Sequence, residues 1–172
     1  MGVGRNLAYK KEEFFRVRGF MDHMKIRSGD DDLFVNQAAS GANTTICFTP
    51  ESFTYSEPKK TYKTWFNQKR RHVATAKYYK GFDRFQLGFF YLIQFLFFIL
   101  ATLLLVFQYQ WIIVTGIVVF RYIFTWISLG YAAGKLKEKD VMYWYPIIEI
   151  FLIFTQLNVF ITNIFAKPVH WK

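Results

Sequence analysis

The pattern of polar and apolar positions divides this chain into a first half of mixed polarity and a second half of long apolar segments suited to a lipid environment. Phe85–Phe107 has no charged side chain, and at about 23 residues it exceeds the roughly 20 that a helix needs to cross a bilayer. Trp111–Ala133 is interrupted only by Arg121, and Tyr143–Phe165 only by Glu149. The pattern predicts an integral membrane protein with two to three transmembrane helices.

The first half mixes short periodic segments with turn residues. Asn6–Tyr9 and Thr44–Phe48 are apolar or β-branched and predict short strands. Lys11–Arg18 predicts a helix that ends at Gly19. A second predicted helix starts at Asp30–Asp32, since a helix N-terminus favours carboxylates.

The last polar segment, Tyr62–Tyr79, has an amphipathic pattern. Its apolar side predicts a helix that lies along the bilayer surface. We expect its cations to face lipid phosphates; they are Lys63, Lys69, Arg70 and Lys77.

The net charge of +10 is concentrated in the first half, where sixteen Lys and Arg stand against nine Asp and Glu up to Arg84. A basic module at a membrane suits anionic lipid or phosphate-bearing substrates, and nucleic acid fits least because lipid-embedded helices adjoin the charge. The cations before Phe85 and in the loop 135–139 predict a cytoplasmic face for both. A third crossing would then leave the basic tail 167–172 outside, so a re-entrant or interfacial third segment is the alternative.

Cysteine and histidine limit the chemistry. Cys47 is the only cysteine, so no internal disulfide can form, which fits a reducing cytoplasmic setting. The three histidines lack the spacing of metal ligands, and we predict no metal site in this chain.

Asp30, Asp31 and Asp32 form the first candidate site. A carboxylate held near a hydroxyl can remove its proton, and neighbouring acids raise the proton affinity of one member. The alternative is a helix cap with additional solvated acids.

Gln68, Arg71 and His72 form the second candidate site. In a helix they occupy positions i, i+3 and i+4 and share one face. An amide, a guanidinium and an aromatic ring suit a sugar hydroxyl, a phosphate and a stacking contact. The alternative is a basic patch that binds anionic headgroups.

Taken together and in this order, these segments resemble the C-terminal part of a membrane-integrated family 2 glycosyltransferase, the group of the cellulose and hyaluronan synthases. Gln68–His72 resembles the family's Q-x-x-R-W signature, with His72 in place of tryptophan. The acidic run resembles E-D-x-D-L, with Gly29 in place of glutamate. The other matching segments are Gly2–Lys11, Gly19–Phe20 and Ser28–Leu33.

The resemblance implies an α/β fold class, namely a partial GT-A-like domain followed by an α-helical transmembrane bundle. Residues 1–60 would be the C-terminal part of the catalytic domain and 61–84 the interfacial helix with the Q-x-x-R-H motif. Residues 85–166 would hold the membrane helices, and 167–172 the basic tail.

The resemblance also assigns roles. Asp30 would be the catalytic base of an inverting transfer from a nucleotide sugar to a lipid-linked or saccharide acceptor, with Asp31 in that role if the register slips by one. Arg71 and Gln68 would stabilise the departing diphosphate. The remaining implied substrate-binding residues are Asp32, His72, Gly4, Arg5 and Asn6.

A divalent cation, Mg²⁺ or Mn²⁺, is implied for the intact enzyme, with ligands in a nucleotide-binding half that the family places ahead of this sequence. Asp30 and Asp32 spell D-x-D but follow a polar stretch, whereas the family motif follows a buried strand. We therefore expect a truncated product or a misassigned start, inactive alone, in a bacterial inner membrane with the catalytic part cytoplasmic.

Two other classes fit the same residues. The chain could be a non-catalytic anchor or scaffold with a basic juxtamembrane helix. It could also be a small transporter, since charges such as Arg121 and Glu149 within membrane segments often mark function.

Overall fold

The computed structural model describes residues 4–26 and 28–166, and these contain six α-helices. The helices are α1 (Lys11–Arg16), α2 (Asp30–Ala38), α3 (Tyr62–Thr75), α4 (Gly81–Val106), α5 (Trp111–Lys135) and α6 (Val141–Phe165). Short 3₁₀ turns occupy Gly4–Asn6, Met21–His23, Pro50–Ser52 and Ala76–Tyr78. The predicted tail 167–172 lies outside the described residues.

The predicted α/β fold class is wrong, because the described residues contain no strand. Thr44–Phe48 is a loop whose side chains are exposed, with Ile46 at 80%. Asn6–Tyr9 begins in a 3₁₀ turn and continues as irregular chain. β-Branched and aromatic residues make a strand only where a neighbouring strand and a packed face exist. Within the described range, residues 4–60 are therefore helices and loops, not part of a GT-A-like sheet.

The two predicted helices of the first half are confirmed. α1 ends in a Schellman motif, with Arg18 in the left-handed region at φ +60°. The Gly19 N–H donates to the carbonyl oxygen of Phe14 at 2.7 Å, and the Arg18 N–H donates to that of Phe15 at 3.0 Å. α2 begins at Asp30, directly after Gly29 in the left-handed region at φ +82°.

A small core joins α1 to α2. Val17, Phe34 and Ala38 are buried, and Phe14 and Val35 pack against them. The core fixes α2 and thereby the acids at its N-terminus.

The helix predicted within Tyr62–Tyr79 is confirmed as α3, and its position along a bilayer surface stays a prediction. Thr61 caps it by accepting the Thr64 N–H at 3.3 Å, and the 3₁₀ turn Ala76–Tyr78 continues it. The expectation that Arg70 faces lipid phosphates is wrong, because its side chain is buried and hydrogen-bonded within the protein.

The three apolar segments are helices, and each of α4, α5 and α6 is long and apolar enough to cross a bilayer. The chain divides into two compact units, one containing the described residues up to Gln86 together with those from Gln156, the other Leu87–Thr155.

Within the second unit, the charges of the apolar segments pair with each other. Both amino groups of the Arg121 guanidinium donate to the Glu149 carboxylate, one of them at 3.1 Å. The guanidinium carbon also lies 4.9 Å from the ring centroids of Phe97 and Phe98. A mutual ion pair neutralises both charges away from water.

Candidate functional site

The N-terminus of α2 packs directly against the C-terminal part of α3. A Cβ atom on Gly29 would lie 2.6 Å from the Cγ2 atom of Thr75. A side chain at position 29 would thus clash as well as strain the backbone. The contact brings together the two motifs that the sequence singled out.

Asp32 and His72 face each other across this contact. The Oδ2 atom of Asp32 lies 3.9 Å from Nδ1 of His72, close enough for an ion pair when the imidazole is protonated. Asp32 is only 7% exposed, whereas half of the His72 side chain reaches solvent. One buried carboxylate is therefore available to orient an accessible ring.

Tyr79 completes the buried side of this cluster. Its hydroxyl lies beside Asp32 and the Thr75 hydroxyl, and the residue is 6% exposed. Burial, followed by the nearby Asp32 charge, raises the pKa of Tyr79 to about 12. A neutral phenol thus lies next to the carboxylate throughout the physiological pH range.

Asp31 ties the first described residues to the acidic run. Its Oδ2 atom accepts the backbone N–H of Gly4 at 2.6 Å, and its Oδ1 atom accepts the N–H of Asp32 at 2.9 Å. Gly4 and Asp31, predicted as parts of one site, are therefore in contact.

Arg5 and Asn6 turn to a different neighbour. Arg5 donates to the Ser56 hydroxyl, and Asn6 donates to the carbonyl oxygen of Ser52 at 3.0 Å. Both side chains hold the loop after Pro50 against the N-terminal segment.

The remaining predicted site residues are Asp30, Gln68 and Arg71. Asp30 is the exposed acid of the run, in the first turn of α2. Gln68 and Arg71 are partly buried on α3, one turn before and directly before His72. The roles assigned to these three residues stay predictions.

The acidic run does not suit a divalent cation. Both Asp31 oxygens bind backbone N–H groups, and Asp32 faces His72 and Tyr79. In residues 4–26 and 28–166, no three His, Cys, Asp or Glu side chains gather in a group able to hold a metal.

The sequence did not single out Thr75 and Tyr79 as site residues. Thr75 lies four and three positions after Arg71 and His72, so helical spacing could have placed it on their face. Tyr79 was assigned to the apolar side of the helix, and nothing local reveals that its hydroxyl meets Asp32.

Comparison with protein-family models, curated proteins and solved structures finds no match to this chain.

Proposed function

We propose that this chain forms part of a membrane-bound glycosyltransferase, in which α2 and α3 build a saccharide and diphosphate pocket at the cytoplasmic lipid boundary. One observation carries the proposal: the acidic run and the Gln68–His72 motif meet in space, with Asp32 and His72 3.9 Å apart. A cap on a solvated helix would need no such partner.

The exposures suggest a division of labour. Asp30 is exposed and can accept the proton of an acceptor hydroxyl, which then attacks the anomeric carbon as the bond to the nucleoside diphosphate breaks. Arg71 and Gln68 supply positive charge and a hydrogen bond to the departing diphosphate. Asp32, which lies beside the Tyr79 hydroxyl, would attract a protonated His72 from the buried side and leave the outer part of the ring for the acceptor.

Diphosphate binding tests the proposal on the residues at hand. The purified chain in nanodiscs of neutral lipid is titrated with inorganic pyrophosphate by calorimetry, because Arg71 and Gln68 are assigned to the diphosphate and not to the nucleoside. Arg71→Gln and the loop variant Lys137→Gln are titrated in the same way. Losing a guanidinium–phosphate contact is worth about 1.5–3 kcal/mol, so Arg71→Gln should weaken binding at least tenfold. The control should bind like the native chain.

If the chain failed to bind pyrophosphate, or if Arg71→Gln and Lys137→Gln bound it with equal affinity, the proposal would be contradicted. That result would favour the non-catalytic scaffold, for which Arg71 needs only to meet lipid headgroups.

A further inference from the structure

The last turn of α6 is hydrogen-bonded to the middle of α3, within the compact unit that also holds the candidate site. Arg70 Nε donates to Asn163 Oδ1 at 3.0 Å, and Arg70 Nη2 donates to the carbonyl oxygen of Ala166 at 2.7 Å. Asn163 Nδ2 donates in return to the carbonyl oxygen of Arg70 at 3.1 Å. Two of these three bonds end on backbone carbonyls, one in α3 and one directly after α6, so they hold the backbone of α3 as well as its side chain.

The side of α3 that faces α2 lies away from Arg70. Successive residues of a helix are turned by about 100°, which sets Arg71 about 100° and His72 about 160° away from Arg70. Thr75, about 140° away from Arg70, packs against Gly29 on that same side. α3 therefore lies between the end of α6 on its Arg70 side and the N-terminus of α2 on the side of the motif.

Of these two contacts, the polar one with α2 is the looser. Asp32 and His72 are 3.9 Å apart, longer than a hydrogen bond, and half of the His72 side chain reaches solvent. Arg70 is only 7% exposed, and its guanidinium makes two charge-assisted hydrogen bonds. We infer that Asn163 is a positioning residue: through Arg70 it holds α3 against α2 and sets where the Gln68–His72 motif lies. The inference rests on the proposed function for what the motif binds, but not for the placement of α3.

Substitution of Asn163 would leave a buried guanidinium with one partner fewer. In Asn163→Leu the Nε donor of Arg70 meets an apolar side chain, and a buried charged donor without an acceptor is strongly unfavourable. Arg70 would then turn toward water, and α3 would lose its fixed position against the end of α6. Asn163→Asp keeps the acceptor for Nε but places a second oxygen next to the carbonyl oxygen of Arg70, so it weakens the contact less.

Binding of pyrophosphate in nanodiscs of neutral lipid measures the effect on the motif. Asn163→Leu should weaken binding about threefold or more, because a misplaced guanidinium holds the diphosphate less well, and Asn163→Asp should lose less. Thr162→Val is the matched control: the Thr162 hydroxyl donates to Asn158 within α6, and the variant should bind like the native chain. In an Arg71→Gln background, Asn163→Leu should cause no further loss, because the group through which it acts is already gone.

These titrations can contradict the inference in two ways. Asn163→Leu could bind as well as Thr162→Val, or its loss could persist undiminished in the Arg71→Gln background. Either result would overturn the positioning role. If Asn163→Leu did not fold, Asn163→Asp would decide the matter through the same two comparisons.

A second measurement needs no ligand and separates this inference from the proposed function. In a Cys47→Ser background, nitroxides on Gly41→Cys and Lys63→Cys report the distance between the end of α2 and the start of α3 by pulsed electron paramagnetic resonance. A Cβ atom at position 41 has open space around it, and Lys63 is exposed. The distance distribution should shift or broaden in Asn163→Leu and stay native in Thr162→Val.

The two measurements distinguish the two failures. A native chain that bound no pyrophosphate would contradict the proposed function alone, and the distance distribution would then decide the inference. A distribution that was the same in the native chain and in Asn163→Leu would overturn the inference, whatever the chain binds.

Discussion

At the scale of single residues, the burial of Asp32 separates it from its two neighbours in sequence. Asp30 is exposed, Asp31 binds the N–H groups of Gly4 and Asp32, and Asp32 is enclosed by His72 and Tyr79. Three identical side chains thus have three environments. Under the proposed function, proton transfer would fall to the exposed acid and support of His72 to the buried one.

The Tyr79 hydroxyl gives this arrangement a measurable titration. Its pKa is raised from 10.0 to about 12 in the folded chain, so the stability that it contributes is complete below pH 10 and is lost as the pH rises through 12. The difference in absorbance near 295 nm between the native chain and Tyr79→Phe should therefore show one tyrosine that ionises near pH 12. An ionisation near pH 10 in the difference curve would contradict the burial of the Tyr79 hydroxyl beside Asp32.

Substitution of Asp30 should separate the base from the diphosphate contact. Asp30→Asn removes the proton acceptor and leaves Arg71 in place, so the affinity for pyrophosphate should stay within about threefold of the native value, while Arg71→Gln loses at least tenfold. Calorimetry on both variants in neutral nanodiscs measures this. A loss for Asp30→Asn as large as that for Arg71→Gln would contradict the assigned roles.

At the scale of elements, Asn36 joins α2 to the start of α4. Its Nδ2 donates to Asp83 at 2.6 Å, and its Oδ1 accepts the backbone N–H of Lys80 at 2.9 Å. The Asn36 side chain thus provides an acceptor for the Lys80 backbone N–H, directly before the first residue of α4, where a helix leaves its N–H groups without helical partners.

Asn36→Leu should lower the free energy of unfolding by about 2 kcal/mol, because it removes a hydrogen bond to a charged group and a second one to the backbone. Melting followed by size-exclusion chromatography in detergent measures the loss. Asn36→Asp keeps the acceptor but places a carboxylate next to Asp83, so its deficit should shrink on acidification. If both variants melted at the same temperature as the native chain, the role of Asn36 would be contradicted.

The pairing of Arg121 with Glu149 predicts strong coupling between α5 and α6. Glu149→Gln leaves a charged guanidinium away from water, and breaking a buried pair in this way costs about 3–5 kcal/mol. The double variant Arg121→Met with Glu149→Leu removes both charges and should melt closer to the native chain than either single variant. Single losses that simply add in the double variant would show that the two residues act independently.

The helices of this chain could be predicted from sequence, whereas the fold class of its first half could not. α1, α2 and α3 follow from local signals: the glycine at position 19, the acids at Asp30–Asp32 and the amphipathic pattern of Tyr62–Tyr79. The error at Thr44–Phe48 arose because strand formation depends on a distant partner, and residue types alone do not show whether one exists. The hydrogen bonds between Arg70 and Asn163 are likewise non-local. The sequence alone therefore could not distinguish the buried Arg70 from the exposed cations of the same helix.

At the scale of the whole molecule, the described residues fall into two compact units, and the residues from Gln156 group with the polar one. The candidate site therefore shares a unit with the end of an apolar helix. Arg70 lies between Gln68 and Arg71 in sequence, so the helix that carries the motif is held in place by Asn163. In this chain the membrane segment is part of what orients the site.

The missing side chain of Gly29 determines how wide that site can be. With only hydrogen atoms on its Cα, the backbone of α2 approaches Thr75 until the two surfaces meet, so helix separation depends on the bulk at positions 29 and 75. A larger residue at either position would widen the opening between Asp32 and His72 without altering any group to which the proposed function gives a role. Under the proposed function, the size of the accepted molecule would then depend on positions that never contact it.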